Sequence, residues 1–399
     1  METAIVALYQ YGTFGQEAWI DHGAAITFAL AKNPSARFVD MKSTLGRGEL
    51  EQRLFGCDLV CFGLKSAHYD LGMEVVGAAV AVGAKVLVGG VHATAAPDEL
   101  INNPQIDYIF QGESEITFPD FLKNPDKYDR IIKGKRPENL DALPFIDREI
   151  FREPVEDACG WFGWKKMVSI IVGRGCPYSC AFCQPLNWNH FGKTIRRRSV
   201  SNVIAELKIL KQKYDPDFLV IHDDTFLLFP RWLEEFSEQY KQIGIPFWAA
   251  GRADGIIRYR KIVKKLVDVG WKIISVGYES GSQRILDWID KQTTIEQNLE
   301  ATRIIKETGA AIYANYILGF PTETKQEVMQ TMKMADQIGA EIDSWAFFSP
   351  YPGNYLGDRC RDSGLSLLDQ HNYNRYPCDS KIKNVDYDYL RKALQGFRE

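Results

Sequence analysis

The 399-residue sequence has no excess of positive charge. With 48 Lys and Arg against 52 Asp and Glu, its formal net charge is -4. This balance provides no long-range attraction to nucleic acid or to an anionic membrane surface. The one tight basic run, Arg196-Arg197-Arg198, is interpreted as solvated or salt-bridged residues at the entrance of a helix. We therefore expect no nucleic-acid partner.

Signals for secretion and for membrane insertion are also lacking. The most apolar stretch, residues 75–91, contains Lys85 and four glycines, and it falls short of the ~18 uninterrupted apolar residues of a membrane span. It predicts a helix that passes into a buried strand. The first residues, METAIVALYQYG, carry neither the basic nor the long apolar region of a secretory signal. We expect a cytoplasmic protein without a membrane span, whose eight cysteines are reduced.

Length and apolar content indicate two folded domains. Hydrophobic residues make up 45% of the chain and aromatic residues 12%, which is typical of a protein with large buried cores. At 399 residues the chain exceeds the roughly 250–300 residues at which single cores stop growing. The loss of periodicity and the clustered prolines suggest a boundary near Glu153. We expect a first domain at 1–125, a linker at 126–160, a second domain at 161–354 and a C-terminal extension at 355–399.

The first domain is predicted to be a Rossmann-like α/β fold. Short β-branched runs alternate with helical patterns and predict strands at residues 4–8, 38–40, 59–64, 85–91 and 107–111. This alternation indicates a doubly wound parallel sheet, whose ligand crevice lies outside the carboxyl ends of the strands. Gly89, Gly90 and Gly112 fall at those ends.

A second alternation predicts a partial barrel. Strands are expected at residues 168–172, 218–222, 247–250, 273–277, 311–318 and 344–348, with amphipathic helix-length segments between them. Six strand-helix units are too few to close an eight-stranded barrel, so the pattern favours a partial (β/α)6 TIM-like barrel. The extension is expected to carry one helix, at residues 387–397.

Three cysteines just after the first of these strands have the spacing of a metal site. In GRGCPYSCAFC, Cys176, Cys180 and Cys183 form a CxxxCxxC pattern. Structural zinc requires four ligands, and the nearest further candidate, His190, stands at an unusual spacing. An iron-sulfur cluster held by three cysteines keeps one iron open for another ligand, as catalytic metal sites do. Zinc remains the alternative to such a cluster.

With the aromatic Phe182 before its last cysteine, this motif resembles the hallmark of the radical S-adenosylmethionine (SAM) superfamily. The resemblance implies a 4Fe-4S cluster on Cys176, Cys180 and Cys183, whose open iron chelates the amino and carboxylate groups of SAM. It also implies an external electron donor of the flavodoxin or ferredoxin type. Reductive cleavage of SAM then gives a 5′-deoxyadenosyl radical, which abstracts hydrogen from unactivated carbon.

Polar motifs at the ends of the later strands extend the resemblance. HDDTF, AAGRAD, VGYESGS and LGFPTET each follow a predicted strand. The carboxyl ends of barrel strands are where catalytic residues lie. The resemblance implies that SAM is surrounded by these ends and by the cysteine segment, with contacts from Phe182, Asp223, Asp224, Arg252, Glu279, Ser280 and Gly319.

Five of these residues have an expected partner on SAM. Asp223 and Asp224 would receive its ammonium group, Arg252 its carboxylate, and Glu279 with Ser280 its ribose hydroxyls, through hydrogen bonds.

Structural roles remain open for the same positions. Asp224 would then cap the next helix, Glu279 would pair with Arg284, and Gly319 would only turn the chain.

The first domain resembles the cobalamin-binding domain that precedes the barrel in one branch of this superfamily. The resemblance rests on LVGGVHATAAPDEL and DYIFQGESEITF, and it covers most of residues 1–150. Gly89, Gly90 and Gly112 would let the backbone approach the corrin or its nucleotide tail, and His92 and Glu113 lie beside them.

No histidine stands where many cobalamin proteins carry a cobalt ligand. The loop QYGTFGQEA occupies the place of their DxHxxG motif. The resemblance implies that cobalamin can be held without a protein imidazole in the radical branch, and a degenerate domain without cobalamin is the alternative. His68 is interpreted as a solvated residue of a surface loop and is not predicted to be a ligand.

The resemblance implies cobalamin-dependent methylation of an unactivated carbon in a small-molecule substrate. Oxidation, ring closure or ring rearrangement with the same cofactors is the alternative reaction. A non-catalytic cobalamin or redox sensor is an alternative of another class, because iron-sulfur clusters also serve as sensors. The other cysteines lack metal spacing, and buried packing is the expected role for most of Cys57, Cys61, Cys159, Cys360 and Cys378.

Overall fold

A computed structural model describes residues 1–8, 20–31, 36–41, 46–151, 155–156, 163–183 and 194–397. The chain divides into two compact units. The first unit comprises Met1–Lys165 and Asp369–Asn374, and the second comprises Lys166–Leu368 and Arg375–Glu399. None of the helices in the described ranges has the length and apolar content to cross a bilayer.

The first unit is built on a six-stranded parallel sheet, which confirms the Rossmann-like prediction. Its strands are β1 Thr3–Leu8, β2 Arg37–Met41, β3 Leu59–Gly63, β4 Lys85–Gly89, β5 Tyr108–Gln111 and β6 Ile131–Lys133. They pair in the order β2-β1-β3-β4-β5-β6. All six residues of β1 are buried, as expected for a parallel sheet covered on both faces.

Helices connect and cover these strands. The α-helices are His22–Ala31, Arg47–Leu54, Tyr69–Ala81, Gly90–Ala95, Pro97–Ile101 and Thr117–Lys123. Short 3₁₀ helices form at Ser66–His68, Pro125–Lys127, Leu140–Ala142 and Glu149–Phe151. The apolar run at residues 75–91 indeed passes from helix into strand. The strand order reverses between β1 and β3, and ligands of doubly wound sheets bind at such a point.

The expected linker at 126–160 proves to contain part of this unit. β6 lies within it and pairs in parallel with β5, with Ile109 opposite Ile131. Phe151, also from this stretch, is buried in the same apolar cluster as Ile132. A three-residue strand among prolines gives too short a pattern to detect, because strand prediction needs several alternating residues. The two units divide after Lys165, beyond the predicted boundary.

The second unit contains the predicted partial barrel. Six parallel strands, each followed by helix, are β8 Lys166–Ile170, β11 Phe218–Ile221, β12 Phe247–Gly251, β13 Trp271–Glu279, β14 Ala311–Leu318 and β15 Ile342–Phe347. These strands pair in the order β15-β14-β13-β12-β11-β8, and a two-residue strand, β7 Val155–Glu156, precedes them in the chain. Two more short strands, β9 Gly173–Arg174 and β10 Arg196–Arg197, form an antiparallel pair.

Helices of this unit cover one face of the sheet. They are Val200–Tyr214, Pro230–Tyr240, Ala253–Arg258, Arg260–Val269, Gln283–Trp288, Ile295–Thr308, Lys325–Ile338, Tyr355–Asp362 and Tyr387–Phe397. Two of them begin with a capping box, formed by Thr294 with Gln297 and by Thr324 with Glu327. Along β14, buried residues alternate with half-buried ones, which leaves the other face of the strand less covered.

Candidate functional site

The three cysteines lie on the segment that follows β8. Cys176 is half-buried, Cys180 is buried and Cys183 is exposed. Thr225, just after β11, donates a hydrogen bond of 3.2 Å from its Oγ1 to Cys176 Sγ. Arg252, just after β12, places Nη1 3.6 Å from Cys180 Sγ. Two neighbouring strand ends therefore direct polar side chains at the sulfurs.

Burial and nearby positive charge act in opposite directions on the pKa of the buried thiol Cys180. Burial raises the pKa of the Cys180 thiol, and the positive charges of Lys291 and Arg252 oppose that rise. Among the described residues, no three His, Cys, Asp or Glu side chains converge as the ligands of a single metal ion do. Three thiols on one segment match the number expected for a cluster that keeps one iron open. His190, the further ligand considered for zinc, lies outside the described residues.

Asp223 has a different role from the one predicted. Its Oδ1 accepts hydrogen bonds of 2.9 Å from the backbone N–H groups of Val172 and Gly173. Its Oδ2 lies 3.2 Å from Arg197 Nη2. Burial raises the pKa of this carboxyl to about 6, although Arg197 and the two N–H groups favour the charged form. Asp223 thus anchors the backbone before the cysteines in this conformation, and its contact with the ammonium group of SAM stays a prediction.

Asp224 and Arg252 both contact the cysteine segment directly. Asp224 is exposed and accepts a 2.7 Å hydrogen bond from the Gly175 N–H, so it does not cap the next helix. The Arg252 guanidinium donates to Asp254 and to the Lys291 carbonyl, at 3.0 and 2.7 Å. Its Cζ also lies 3.5 Å from the ring centroid of Tyr178. These contacts fix Arg252 beside Cys180.

Glu279 and Ser280 make internal contacts where β13 ends. Glu279 is buried and forms an ion pair of 2.7 Å with Lys291, instead of the alternative pairing with Arg284. Ser280 is fully buried, and its Oγ lies 3.3 Å from Thr331 Oγ1. In this conformation both side chains stabilise the strand end, and the prediction that they bind the ribose remains a proposal.

Gly319 and Phe182 shape the protein around the same segment. Gly319 has φ +79°, and its N–H donates a 2.6 Å hydrogen bond to Glu323 Oε2. This left-handed turn agrees with the structural alternative for Gly319. The half-buried Phe182 ring lies 6.1 Å from the ring of Phe320 and 5.9 Å from Lys291 Nζ.

In the first unit, the three predicted glycines lie at the carboxyl ends of β4 and β5. Gly90 has φ +88°, and a Cβ there would lie 2.7 Å from the Leu64 nitrogen, so the close approach of two loops requires glycine. Gly112 has φ +86° and donates a 2.9 Å hydrogen bond to Thr94 Oγ1. Gly89 meets only ordinary contacts. The backbone conformation thus explains why glycine stands at two of the three positions, Gly90 and Gly112.

The polar candidates beside these glycines are paired within the protein. His92 is fully buried, with Nδ1 3.0 Å from Ser66 Oγ and Nε2 3.4 Å from Glu99 Oε2. Its contact with cobalamin stays a prediction. Glu113 forms a 3.0 Å ion pair with Arg136.

His68 and the cysteines outside the CxxxCxxC motif also had expected environments. His68 is buried rather than solvated, and burial lowers its pKa to about 4. Cys57, Cys61 and Cys360 are buried, as packing residues should be, whereas Cys378 is exposed. The loop QYGTFGQEA and Cys159 lie outside the described residues.

Several residues of the site escaped sequence reasoning. Ser179 donates a 2.5 Å hydrogen bond to Asp290 and accepts one of 3.0 Å from Gln292. Lys291 pairs with Glu279 and lies near Phe182. Asp290, Lys291 and Gln292 belong to a helix-to-helix loop, which carries no strand-end motif. Thr225 stood within HDDTF, where its hydroxyl could have been recognised as a polar strand-end group.

The radical SAM superfamily profile matches residues 170–335. Among curated proteins, the chain is 30% identical over 332 residues to "Uncharacterized methyltransferase PH0819" of Pyrococcus horikoshii, with 78% of this chain and 70% of the relative covered. It is 27% identical to the anaerobic magnesium-protoporphyrin IX monomethyl ester cyclase of Rubrivivax gelatinosus, with 78% and 60% covered. The chain thus spans less than two thirds of the cyclase.

Among solved structures, the apo form of the cobalamin-dependent S-adenosylmethionine radical enzyme OxsB shares the fold. The TM-score is 0.74 at 15% identity, with 93% of this chain and 62% of that chain covered. Together with the three-cysteine segment on a partial barrel, the relationship to the Pyrococcus protein assigns the class. This chain belongs to the radical SAM superfamily and is an enzyme of that kind. A purely sensory protein is therefore not favoured.

Proposed function

We propose that this enzyme methylates an unactivated carbon of a small-molecule substrate, using a 4Fe-4S cluster, SAM and cobalamin. The observation that carries the proposal is the segment from Cys176 to Cys183, with Thr225 and Arg252 directed at its sulfurs. When bound, the reduced cluster and SAM supply a 5′-deoxyadenosyl radical that takes hydrogen from the substrate, and methylcobalamin supplies the methyl group.

In this scheme the residues of the barrel bind the cluster and SAM and orient them. Cys176, Cys180 and Cys183 provide three thiolates, and the guanidinium of Arg252 offsets their negative charge. The exposed Asp224 remains suited to the ammonium group of SAM, because a carboxylate is an acceptor for charged N–H donors. We expect Phe182 and the ends of β13 and β14, at Glu279, Ser280 and Gly319, to border SAM.

Cobalamin is assigned to the first unit. The support is a parallel sheet whose order reverses at β1 and β3, with Gly89, Gly90 and Gly112 at neighbouring strand ends. The similarity to a cobalamin-dependent enzyme of the same fold points the same way. His92 and Glu113 would support these loops from within, since each is already paired inside the protein.

Ring closure or oxidation remains the second candidate reaction. It is favoured by the similarity to the cyclase of Rubrivivax gelatinosus. Methyl transfer is preferred because the more similar Pyrococcus relative is named as a methyltransferase. Either reaction needs an external electron donor, for which we propose a flavodoxin or a ferredoxin.

The test is a product assay on protein reconstituted anaerobically with iron and sulfide. Reductant and SAM are added with and without cobalamin, and 5′-deoxyadenosine and S-adenosylhomocysteine are measured. Cys176→Ala should abolish both products, because the cluster loses a ligand. Cys378→Ala is the matched control, since this exposed thiol lies outside the cysteine segment and should leave both products unchanged.

The two products separate the candidates. S-adenosylhomocysteine that requires cobalamin, formed together with 5′-deoxyadenosine, supports the methyltransferase. Deoxyadenosine alone supports ring closure or oxidation. If neither product forms and the purified protein holds zinc, the radical mechanism is refuted.

A further inference from the structure

The loop at residues 289–292, between helices Gln283–Trp288 and Ile295–Thr308, has no role in the scheme above. It nevertheless contacts the cysteine segment along much of its length. The Ala181 N–H donates a 2.8 Å hydrogen bond to the Ile289 carbonyl, next to the buried Cys180. This backbone contact joins the middle of the segment to the loop.

Ser179 makes the second connection. Its hydroxyl donates a 2.5 Å hydrogen bond to Asp290 Oδ2 and accepts one of 3.0 Å from Gln292 Nε2. Gln292 Nε2 also lies 3.1 Å from Asp290 Oδ1, so the two loop side chains support each other. A serine between the first two cysteines is thus held by an ionisable acceptor and an amide donor.

Lys291 makes the third connection. Its Nζ forms an ion pair of 2.7 Å with Glu279, and both side chains are about 8% exposed. The same ammonium lies 5.9 Å from the ring centroid of Phe182, and its backbone carbonyl accepts a hydrogen bond from Arg252. Arg252 in turn lies beside Cys180. The loop is therefore tied to the sulfurs through charged groups as well as through Ser179.

The loop adopts backbone conformations that L-residues avoid. Asp290 has φ +50° and Gln292 has φ +58°. Such left-handed conformations persist only where surrounding contacts enforce them, and they cluster at functional sites. Part of the enforcement is local, because the Lys291 N–H donates a 2.9 Å hydrogen bond to the Leu286 carbonyl where the preceding helix ends. The hydrogen bonds of Asp290 and Gln292 with Ser179 add to it.

We propose that the loop at residues 289–292 is a positioning element, which holds the cysteine segment in the conformation that receives the cluster. Asp290 and Gln292 act through Ser179, and none of the three touches the sulfurs. The inference rests on the proposed cluster at Cys176, Cys180 and Cys183. Because the segment between these cysteines has no regular secondary structure of its own, its shape must come from contacts with neighbouring elements.

Cluster retention measures this role without any need for turnover. We would reconstitute the full-length protein and follow the loss of iron to a chelator by visible absorbance. Asp290→Ala and Ser179→Ala should each lose iron on the order of tenfold faster than the parent, as expected for one lost hydrogen bond to a charged group. Asp290→Asn should lose iron more slowly than Asp290→Ala, because asparagine keeps one acceptor oxygen for Ser179 and tolerates the left-handed conformation, although its NH2 group cannot accept from Gln292.

Asp215→Ala is the matched control. Asp215 also has a positive φ, +44°, but it follows helix Val200–Tyr214 away from the cysteine segment. The Asp215→Ala variant should change the free energy of unfolding of the cluster-free protein without changing the rate of iron loss. A second readout is the electron paramagnetic resonance spectrum of the reduced cluster, whose response to added SAM should be altered in Asp290→Ala and partly restored in Asp290→Asn.

The outcomes distinguish this inference from the proposed function. If the parent protein binds no iron, the proposed function fails. If the parent and the Ala variants retain iron equally while their cluster-free forms stay folded, the positioning role is wrong and the cluster assignment stands. Faster iron loss in Asp215→Ala as well would also contradict the inference, because a general loss of stability would then explain it.

Discussion

Lys291 and Glu279 form a buried ion pair between a strand end and a loop. Both charged ends have lost most of their water, and their Nζ and Oε1 atoms are 2.7 Å apart. Removing one partner of such a pair leaves an uncompensated buried charge, which costs more than the pair itself contributes. The pair also lies next to Phe182 and the cysteine segment, so its integrity bears on the site.

Lys291→Met should lower the free energy of unfolding by about 3–5 kcal/mol, because Glu279 would stay buried without its counter-charge. The double variant with Glu279→Gln should recover much of that loss. Urea unfolding of the cluster-free protein, measured for both single variants and the double variant, checks the coupling. Independent, additive losses would contradict the ion pair.

The sequence identified the polar strand end that contains Asp223, but not the environment of each carboxylate. HDDTF was recognised as a polar strand end, and the structure indeed places Asp223, Asp224 and Thr225 around the cysteine segment. Which carboxylate is buried and which is exposed could not be predicted. That difference depends on Arg197, which comes from a different part of the chain.

At the scale of elements, Glu327 joins the start of helix Lys325–Ile338 to the start of helix Gln283–Trp288. It completes the capping box with Thr324 and accepts hydrogen bonds from Ser282 and from both ends of the Arg284 guanidinium. The Arg284 hydrogen bond, with further help from Thr324 and Ser282, lowers the pKa of Glu327 from 4.5 to about 2.

A lowered pKa means that this carboxylate stabilises the folded state above pH 4.5, and that the contribution is lost as pH falls toward about 2. Glu327→Gln should therefore reduce the free energy of unfolding by about 1–3 kcal/mol near neutral pH, and by much less near the folded pKa. Urea unfolding across this pH range measures the difference.

Glu300→Gln is the control for that prediction. Glu300 pairs with Arg303 on the surface, and exposed pairs contribute little to stability. Glu300→Gln should cause no measurable change in the free energy of unfolding at either end of the pH range. An equal loss for Glu327→Gln at low and neutral pH would contradict the ionised capping interaction.

At the scale of the whole molecule, the first unit is discontinuous in sequence. Asp369–Asn374, which we expected to belong to the C-terminal extension, is part of it. Tyr373 is buried with its ring centroid 6.2 Å from that of His92, and His371 Nδ1 lies 2.6 Å from Asp70 Oδ1. Six residues thus complete the packing around helices Gly90–Ala95 and Pro97–Ile101.

Tyr373→Ala should destabilise the first unit locally, because a cavity would replace a buried ring against His92. Hydrogen exchange in the full-length protein should become faster for Gly90–Ala95 and Pro97–Ile101, while the strands of the partial barrel keep their protection. Tyr355→Ala, which removes a side chain that is 61% exposed, should leave hydrogen exchange unchanged in both helices and in the strands. Unchanged exchange in both helices would show that Tyr373 adds nothing to this packing.

The sequence alone determined the longer elements and the cluster motif, because both depend on short-range patterns. Period-two and helical periodicity predicted six barrel strands, with β14 at the observed bounds of 311–318, and CxxxCxxC needs only eight consecutive residues. The tertiary structure decided which distant residues contact one another. Ser179 meets Asp290 across 111 residues and His371 meets Asp70 across 301, and no local pattern encodes such contacts. Burial of His92 and the role of residues 289–292 likewise follow from packing between distant segments, which only the folded chain brings together.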